Sequence, residues 1–403
     1  MTNHPPSTGS LARKSRRPDL HLIEPATRLP RVAFVICEAG GGHKSAGRAL
    51  TEALSHHYPD SYDIVTVAIE DMIGPVGKAF GTIYDESYNL ALQGGHYWLE
   101  PVIFGLLTKS RTTLQPFGIM YMRKALKNLQ ADFLVFLLHG AHDAMAECMK
   151  RDGHISNLTV ITDAVSIRPS WVNACCDQVV VSTPEARQAV EALGVKPEQI
   201  ELIGHPLDLG FSQPPKNRSE LRRRYFLQQD RFTIMMMMGG TGGRNIYRFS
   251  KALINAGLPV QILACCGSDK RLLHKMQALA ESSPLPIKPF GFTTEIANLM
   301  AVSDLLITKP GPGTIMEAMA MELPMVIDDS NYTMWQEKGN VEYVRNNNLG
   351  RVIGHTREFI PAVRELLDHP EQLAASKEAV RQHKCVDASA KIAQLIHERI
   401  SGK

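Results

Sequence analysis

Arg31-Val-Ala-Phe-Val-Ile-Cys37 runs directly into Glu38-Ala-Gly-Gly-Gly-His43, and a helical pattern follows from Ser45 to Ser55. An unbroken apolar run of this kind reads as a strand buried on both faces, and the glycines as a turn into a helix N-terminus. The same grammar returns in the second half: Phe232-Thr-Ile-Met-Met-Met-Met238, then Gly239-Gly-Thr-Gly-Gly243, then a helical stretch through Ala256. Further apolar segments alternate with helical ones, at 62–67, 133–138, 158–162 and 178–182 in the first half and at 259–265, 304–308 and 324–328 in the second. This alternation predicts an α/β protein of two Rossmann-like, doubly wound domains facing an inter-domain cleft. Turn formers in Gly204-His-Pro-Leu-Asp208 and Ser212-Gln-Pro-Pro-Lys-Asn-Arg218 place the linker at about 205–218, with a first domain over 31–205 and a second over 219–403.

Composition narrows the class. Of 403 residues, 44% are hydrophobic and 21% charged, which excludes a disordered, collagen-like or disulfide-stapled chain. The 44 Lys and Arg against 41 Asp and Glu leave +3, too near balance to point to nucleic acid. Arg13, Lys14, Arg16 and Arg17 crowd the start, and no apolar core of a secretory signal accompanies them, so residues 1–30 read as a disordered basic arm. No apolar run approaches the roughly 20 residues that span a bilayer. Seven cysteines without a CxxC suggest a reducing, cytoplasmic setting, and neither a metal site nor a cofactor is expected.

Residues 76–127 depart from the regular alternation. They concentrate aromatics, among them Tyr97, Trp98 and Phe104, together with bases such as Lys109, Arg111 and Arg123. A basic, aromatic insertion suits an anionic membrane surface, and the alternative is that these rings are helix core.

Two familiar labels fail at the glycine turns. A Walker loop needs glycine at the positions of Glu38 and His43, and a dinucleotide fingerprint needs glycine where Asn245 stands. What remains is His43 at the mouth of a turn with little bulk around it, at Gly41 and Gly42. A neutral imidazole there can accept a proton from a hydroxyl; the alternative is a capping or surface histidine. In the second half, Thr308-Lys-Pro-Gly-Pro-Gly-Thr-Ile-Met-Glu317 follows a strand and opens a helix near Thr314. Free N–H groups around Gly311, Gly313 and Thr314 suit a diphosphate, and Lys309 adds charge. Glu317 is placed to bind a ribose diol, or is simply a glutamate favoured by the helix dipole. Trp335-Gln-Glu-Lys-Gly-Asn340 offers polar groups for sugar hydroxyls.

Taken together, Glu38–Ala46, Val160–Asp163 with Pro169-Ser-Trp171, Lys309–Ala318 and Gln336–Asn340 resemble the monogalactosyldiacylglycerol synthase family over residues 31 to about 370. They are more distantly similar to the bacterial N-acetylglucosaminyltransferase that makes the lipid-linked peptidoglycan precursor. The resemblance implies a GT-B fold, a UDP-sugar donor held mainly by the second domain, inversion at the sugar, and a lipid acceptor such as diacylglycerol reached from the membrane by a peripheral protein. By motif it sets His43 as the base with Asp163 assisting, Phe292 at the uracil edge, Glu317 on the ribose, and Gln336 and Glu337 on the donor sugar. The second loop departs from the family: Gly240, Thr241, Gly242 and Arg244 stand in a stretch that usually reads Gly-Gly-Glu-Gly-Met-Gly. Asp208 stands where the family carries Arg, a charge Arg244 could restore. A UDP-sugar 2-epimerase of the same architecture and a non-catalytic UDP-sugar or lipid-binding protein are the alternatives.

Overall fold

A computed structural model describes residues 28–37, 41–75, 117–212, 217–240, 242–331 and 335–402. The first sheet comprises β1 (Arg31–Ile36), β2 (Asp63–Ala68), β3 (Phe133–Phe136), β4 (Ser156–Val160), β5 (Gln178–Val181) and β6 (Ile200–Leu202). The second comprises β7 (Phe232–Met237), β8 (Val260–Cys265), β9 (Ile287–Phe290), β10 (Leu305–Thr308), β11 (Met325–Asp328) and β12 (Gly350–Ile353). Every pairing is parallel, in the orders β2-β1-β3-β4-β5-β6 and β12-β11-β10-β7-β8-β9. The apolar runs are buried as their composition demands: Val32 to Val35 and Ile234 to Met236 are inaccessible to solvent.

Strand order reverses beside the first strand of each sheet, between β1 and β3 and between β7 and β10. In open α/β sheets the ligand crevice lies at the carboxyl ends of the strands at such a reversal. The loops after β1, β3, β7 and β10 are therefore where a site is to be sought.

The second domain does not run to residue 403 as the sequence reading has it. Helix Ala388–Ser401 returns to the first sheet, where Ile392, Ala393 and Ile396 are fully buried with Val32, Phe34, Leu50 and Leu54. His397 stacks on Tyr58 with ring centroids 4.0 Å apart, and Arg399 Nε donates to Gln178 Oε1 at 2.8 Å. The chain thus crosses between the sheets twice, and the crossings touch. Ser389 Oγ accepts from the Leu207 N–H at 2.9 Å and donates to the Leu207 carbonyl at 2.7 Å. Gly204 has φ +123°, and a Cβ there would lie 2.6 Å from Cys385 Sγ, so only glycine fits.

Residues 28–30, expected in the arm, are among the described residues. Arg28 Nη2 donates to Asp132 Oδ1 at 3.0 Å and to the Gln130 carbonyl at 3.2 Å, which fastens residue 28 to the first sheet. Residues 1–27 lie outside the described residues, as do 76–116 with Tyr97, Trp98 and Phe104. The helix over 117–129 buries Met122 and Leu126, whereas Phe117 and Met120 are exposed. Among the described residues, no helix is long and apolar enough to cross a membrane.

Candidate functional site

His43 stands in the first turn of helix Gly41–His57, directly after β1. Among the described residues, a side chain on Gly41 or Gly42 would meet nothing within 4 Å. His43 Nδ1 lies 3.2 Å from Oγ1 of the buried Thr162, just beyond β4. Burial holds the imidazole below its usual pKa, opposed by the Leu137 carbonyl and by Glu70. Burial thus favours the neutral ring, the state a proton acceptor needs.

Trp171 closes the floor of this corner. Fully buried, it packs its ring 6.0 Å from His43 and 5.8 Å from His139, centroid to centroid. Its indole N–H donates to Asp163 Oδ2 at 2.7 Å. His139 follows β3, and its Nδ1 lies 3.2 Å from Ser170 Oγ. Asp163, expected to assist His43, is held by Trp171, and Thr162 is the side chain that meets His43 directly. Burial pushes the Asp163 carboxyl up to about 6; Trp171 and Arg168 oppose this, and Glu337 of the second domain adds to it. His139, Thr162 and Trp171 line this corner without a role assigned from the sequence, although Thr162 and Trp171 both stand within motifs quoted above.

The second wall is built from the loops after β7 and β10. Gly239 (φ +92°) and Gly242 (φ +78°) fold the first loop tightly, and a Cβ on Gly242 would sit 2.5 Å from the Cys266 carbonyl oxygen. Gly240 accepts from the Ser268 N–H at 2.9 Å, Arg244 is exposed at the start of helix Arg244–Ala256, and Thr241 lies outside the described residues. A Cβ on Gly239 would lie 3.4 Å from Lys309 Cε, so the two loops touch. Lys309 Nζ donates to Oε1 of the buried Glu337 at 3.0 Å. Asn340 Nδ2 donates to the Pro310 carbonyl at 2.9 Å.

These contacts give two of the expected donor-binding residues partners within the protein. The Lys309 charge is already matched by Glu337, and Asn340 supports the Pro-Gly-Pro-Gly loop from beneath. The side chain of Gln336 lies outside the described residues. Phe292 follows β9 and is exposed, as a position facing a ligand edge would be.

Helix Pro312–Ala320 starts at this loop with Gly311 as an extended N-cap and no side-chain cap. Its first-turn N–H groups, around Gly313 and Thr314, therefore remain available to an acceptor in the cleft. Glu317, one turn further on, is pushed up to about 8 by burial and by Asp208, with Arg48 opposing. Asp208 is itself paired with Arg48, at 2.5 Å from Nη2 and 3.3 Å from Nε. The cation beside Asp208 thus comes from the first helix. His205, in the first crossing, was read only as part of a turn. It is buried, its Nδ1 has no hydrogen-bond partner among the described residues, and burial and then His43 push it down to about 4.

Two family matches divide the chain along this architecture. Residues 43–207 match monogalactosyldiacylglycerol (MGDG) synthase, starting at His43, and residues 234–393 match the glycosyltransferase family 28 C-terminal domain. Both halves thus match glycosyltransferase families, and the chain is similar to the monogalactosyldiacylglycerol synthases. It is 26% identical over 403 residues to the chloroplastic monogalactosyldiacylglycerol synthase of Spinacia oleracea, covering 96% of this chain and 76% of that one. Among solved structures it is similar to Acinetobacter baumannii MurG, with TM-score 0.64, 15% identity and coverage of 92% and 99% of the two chains. A UDP-N-acetylglucosamine 2-epimerase is also similar, with TM-score 0.57, 13% identity and coverage of 93% and 98%. The fold is GT-B, as the sequence reading expected.

Proposed function

We propose that this glycosyltransferase moves a hexose from a UDP-sugar to diacylglycerol or a related lipid alcohol at a membrane surface, with inversion at the sugar. The observation that carries this reading is the pairing of an MGDG synthase-type first half, beginning at His43, with a second half whose uncapped helix N-terminus faces the same cleft. The acceptor oxygen attacks C1 of the sugar while its proton passes to the neutral His43 imidazole. The bond from C1 to the diphosphate oxygen breaks, and its electron pair leaves with UDP. First-turn N–H groups of helix Pro312–Ala320, with Arg244, meet the charge that develops there. Glu317 takes a ribose hydroxyl, and Trp171 holds the floor beneath the acceptor.

Epimerases share this architecture, so the fold alone does not choose between the two activities. The first-half family match favours transfer. The test is to incubate the protein with UDP-galactose, UDP-glucose and UDP-N-acetylglucosamine in turn, with diacylglycerol in vesicles, and to look for glycolipid by mass. A hexosyl-diacylglycerol is expected; epimerised UDP-sugar without glycolipid contradicts the reading.

A further inference from the structure

A second concavity lies at the end of the second sheet away from the donor loops. It is a cavity of about 380 Å³ at the amino ends of β7 and β10, with Arg218, Ser219, Arg222, Asp230, Arg231 and Asp304 in its walls. The glycine loop and the Lys309 loop leave the carboxyl ends of those same strands, so this cavity is no part of the catalytic cleft. Arg222, fully engaged in the fold, is 5% exposed and directs its donors to the carbonyls of Val302, Gln229 and Arg231, to Thr233 Oγ1 at 3.0 Å and to Asp304 Oδ2 at 2.9 Å. Arg218 Nη2 donates to Asp304 Oδ1 at 2.6 Å, and the Thr233 N–H to Asp304 Oδ2 at 2.8 Å. One carboxylate thus serves two arginines and the β7 backbone. The Arg218 side chain is nevertheless 42% exposed, and among the described residues only its Nη2 makes bonds.

Arg231 is bound far less completely. Among the described residues it forms no ion pair, its Nη1 makes a long bond to Gln228 Oε1 at 3.3 Å, and its buried Nε has no partner. With Asp230 counted, three guanidinium groups face two carboxylates, so the cavity keeps an excess of positive charge. Guanidinium groups bind phosphate oxygens by paired N–H···O bonds, and Ser219 adds a hydroxyl. The volume lies in the range of small-molecule sites, larger than a bare phosphate ion needs, and the half-buried Phe232 gives one wall an apolar stretch. None of the exposed large hydrophobic side chains lines the cavity, which favours a soluble ligand over a lipid headgroup met at a membrane. We infer that this cavity binds a small soluble phosphate monoester, its phosphate held by Arg218 and Arg231 beside the Arg222–Asp304 pair and its carbon portion against Phe232. The ligand binds the folded second half and stabilises it without entering the donor cleft. This assignment does not depend on the hexosyl-transfer reading above.

The test is calorimetric titration of wild type, Arg231→Met and Arg231→Lys with glycerol 3-phosphate, each with and without saturating UDP. Methionine keeps an apolar stem and removes the charge; lysine keeps the charge without the fork. Wild type is expected to bind the ester, Arg231→Met about tenfold or more weakly and Arg231→Lys in between, with UDP leaving each affinity unchanged. Absence of binding to wild type, or equal affinity in Arg231→Met, overturns the inference. Displacement of the ester by UDP also overturns it, because the ester would then sit in the donor cleft. Sedimentation with vesicles of phosphatidylcholine, with and without phosphatidic acid, separates the two sources of phosphate: Arg231-dependent binding to the acidic vesicles, with none to glycerol 3-phosphate, overturns the soluble assignment. Hydrogen exchange of the wild-type protein reads the site even if the variants do not fold. Glycerol 3-phosphate should slow exchange over residues 218–233 and 302–305 and leave helix Pro312–Ala320 unchanged; slowing confined to that helix contradicts the inference.

Discussion

Arg48 and Asp208 join the first helix to the crossing between the sheets by a two-pronged ion pair beside Glu317. Three ionisable groups from three parts of the chain thus meet at one corner of the cleft. Asp208 raises the Glu317 pKa and Arg48 lowers it, but burial dominates.

A pH prediction follows from that corner. Folding raises the Glu317 pKa from 4.5 to about 8, so its contribution favours folding in full below the unfolded value and is lost as pH rises through about 8. Glu317→Gln cannot ionise. Relative to wild type, its stability in urea should improve by about 1–3 kcal/mol between pH 5 and pH 9. Parallel profiles for the two proteins would show that Glu317 is not held protonated.

Lys309 and Glu337 are predicted to stand or fall together. Glu337 is buried, whereas Lys309 is partly open to solvent, which screens the pair. Lys309→Met should cost about 1–2 kcal/mol by leaving a buried carboxylate without its cation, and adding Glu337→Gln should recover most of it. Additive losses in a denaturant-based double-mutant cycle would argue that the pair is not coupled.

The returning C-terminal helix gives a packing prediction. Ile392 is fully buried in the core of the first sheet, so Ile392→Ala should destabilise by about 2–5 kcal/mol and weaken the first half, although the residue lies at the far end of the chain. Hydrogen exchange should speed up in β1 and helix Gly41–His57 ahead of β7 and β10. Faster exchange confined to the second sheet would contradict this packing.

The sheets were legible because their central strands are unbroken apolar runs, which admit few other readings. β6, β9 and β12 were missed for local reasons: β6 has three residues, β9 contains Pro289, and β12 begins with a glycine. The docking of helix Ala388–Ser401 left no local trace either, since an amphipathic pattern says that a face is buried and not against what. In the site, the glycine turns and the Lys309–Glu317 stretch were visible as motifs. The bonds of Trp171 to Asp163 and of Lys309 to Glu337 were not, because they join residues whose separation only the fold closes. His205 looked like turn filler, and its burial comes from the second crossing packed against it.

Membrane attachment is expected through residues 76–127, aided by the basic arm. Phe117 and Met120 stand exposed at the edge of that segment. Each base near an anionic surface contributes about 1 kcal/mol and is screened by salt, whereas apolar insertion is not. Phe117→Ser with Met120→Ser should lower sedimentation with vesicles at all salt concentrations, and removal of residues 1–27 should lower it mainly at low salt. Equal binding of all three proteins to neutral and anionic vesicles would point to an acceptor met in solution.

The central claim is that His43 takes the acceptor's proton while the donor is held by the opposite wall. Its most direct test is hexose transfer from the preferred UDP-sugar to diacylglycerol by His43→Ala, with UDP affinity measured on the same preparation. Turnover should fall by about 10²–10⁴-fold while UDP affinity stays within about twofold of wild type. A variant that keeps more than about a third of wild-type transfer would contradict the account, since loss of a general base costs far more than that.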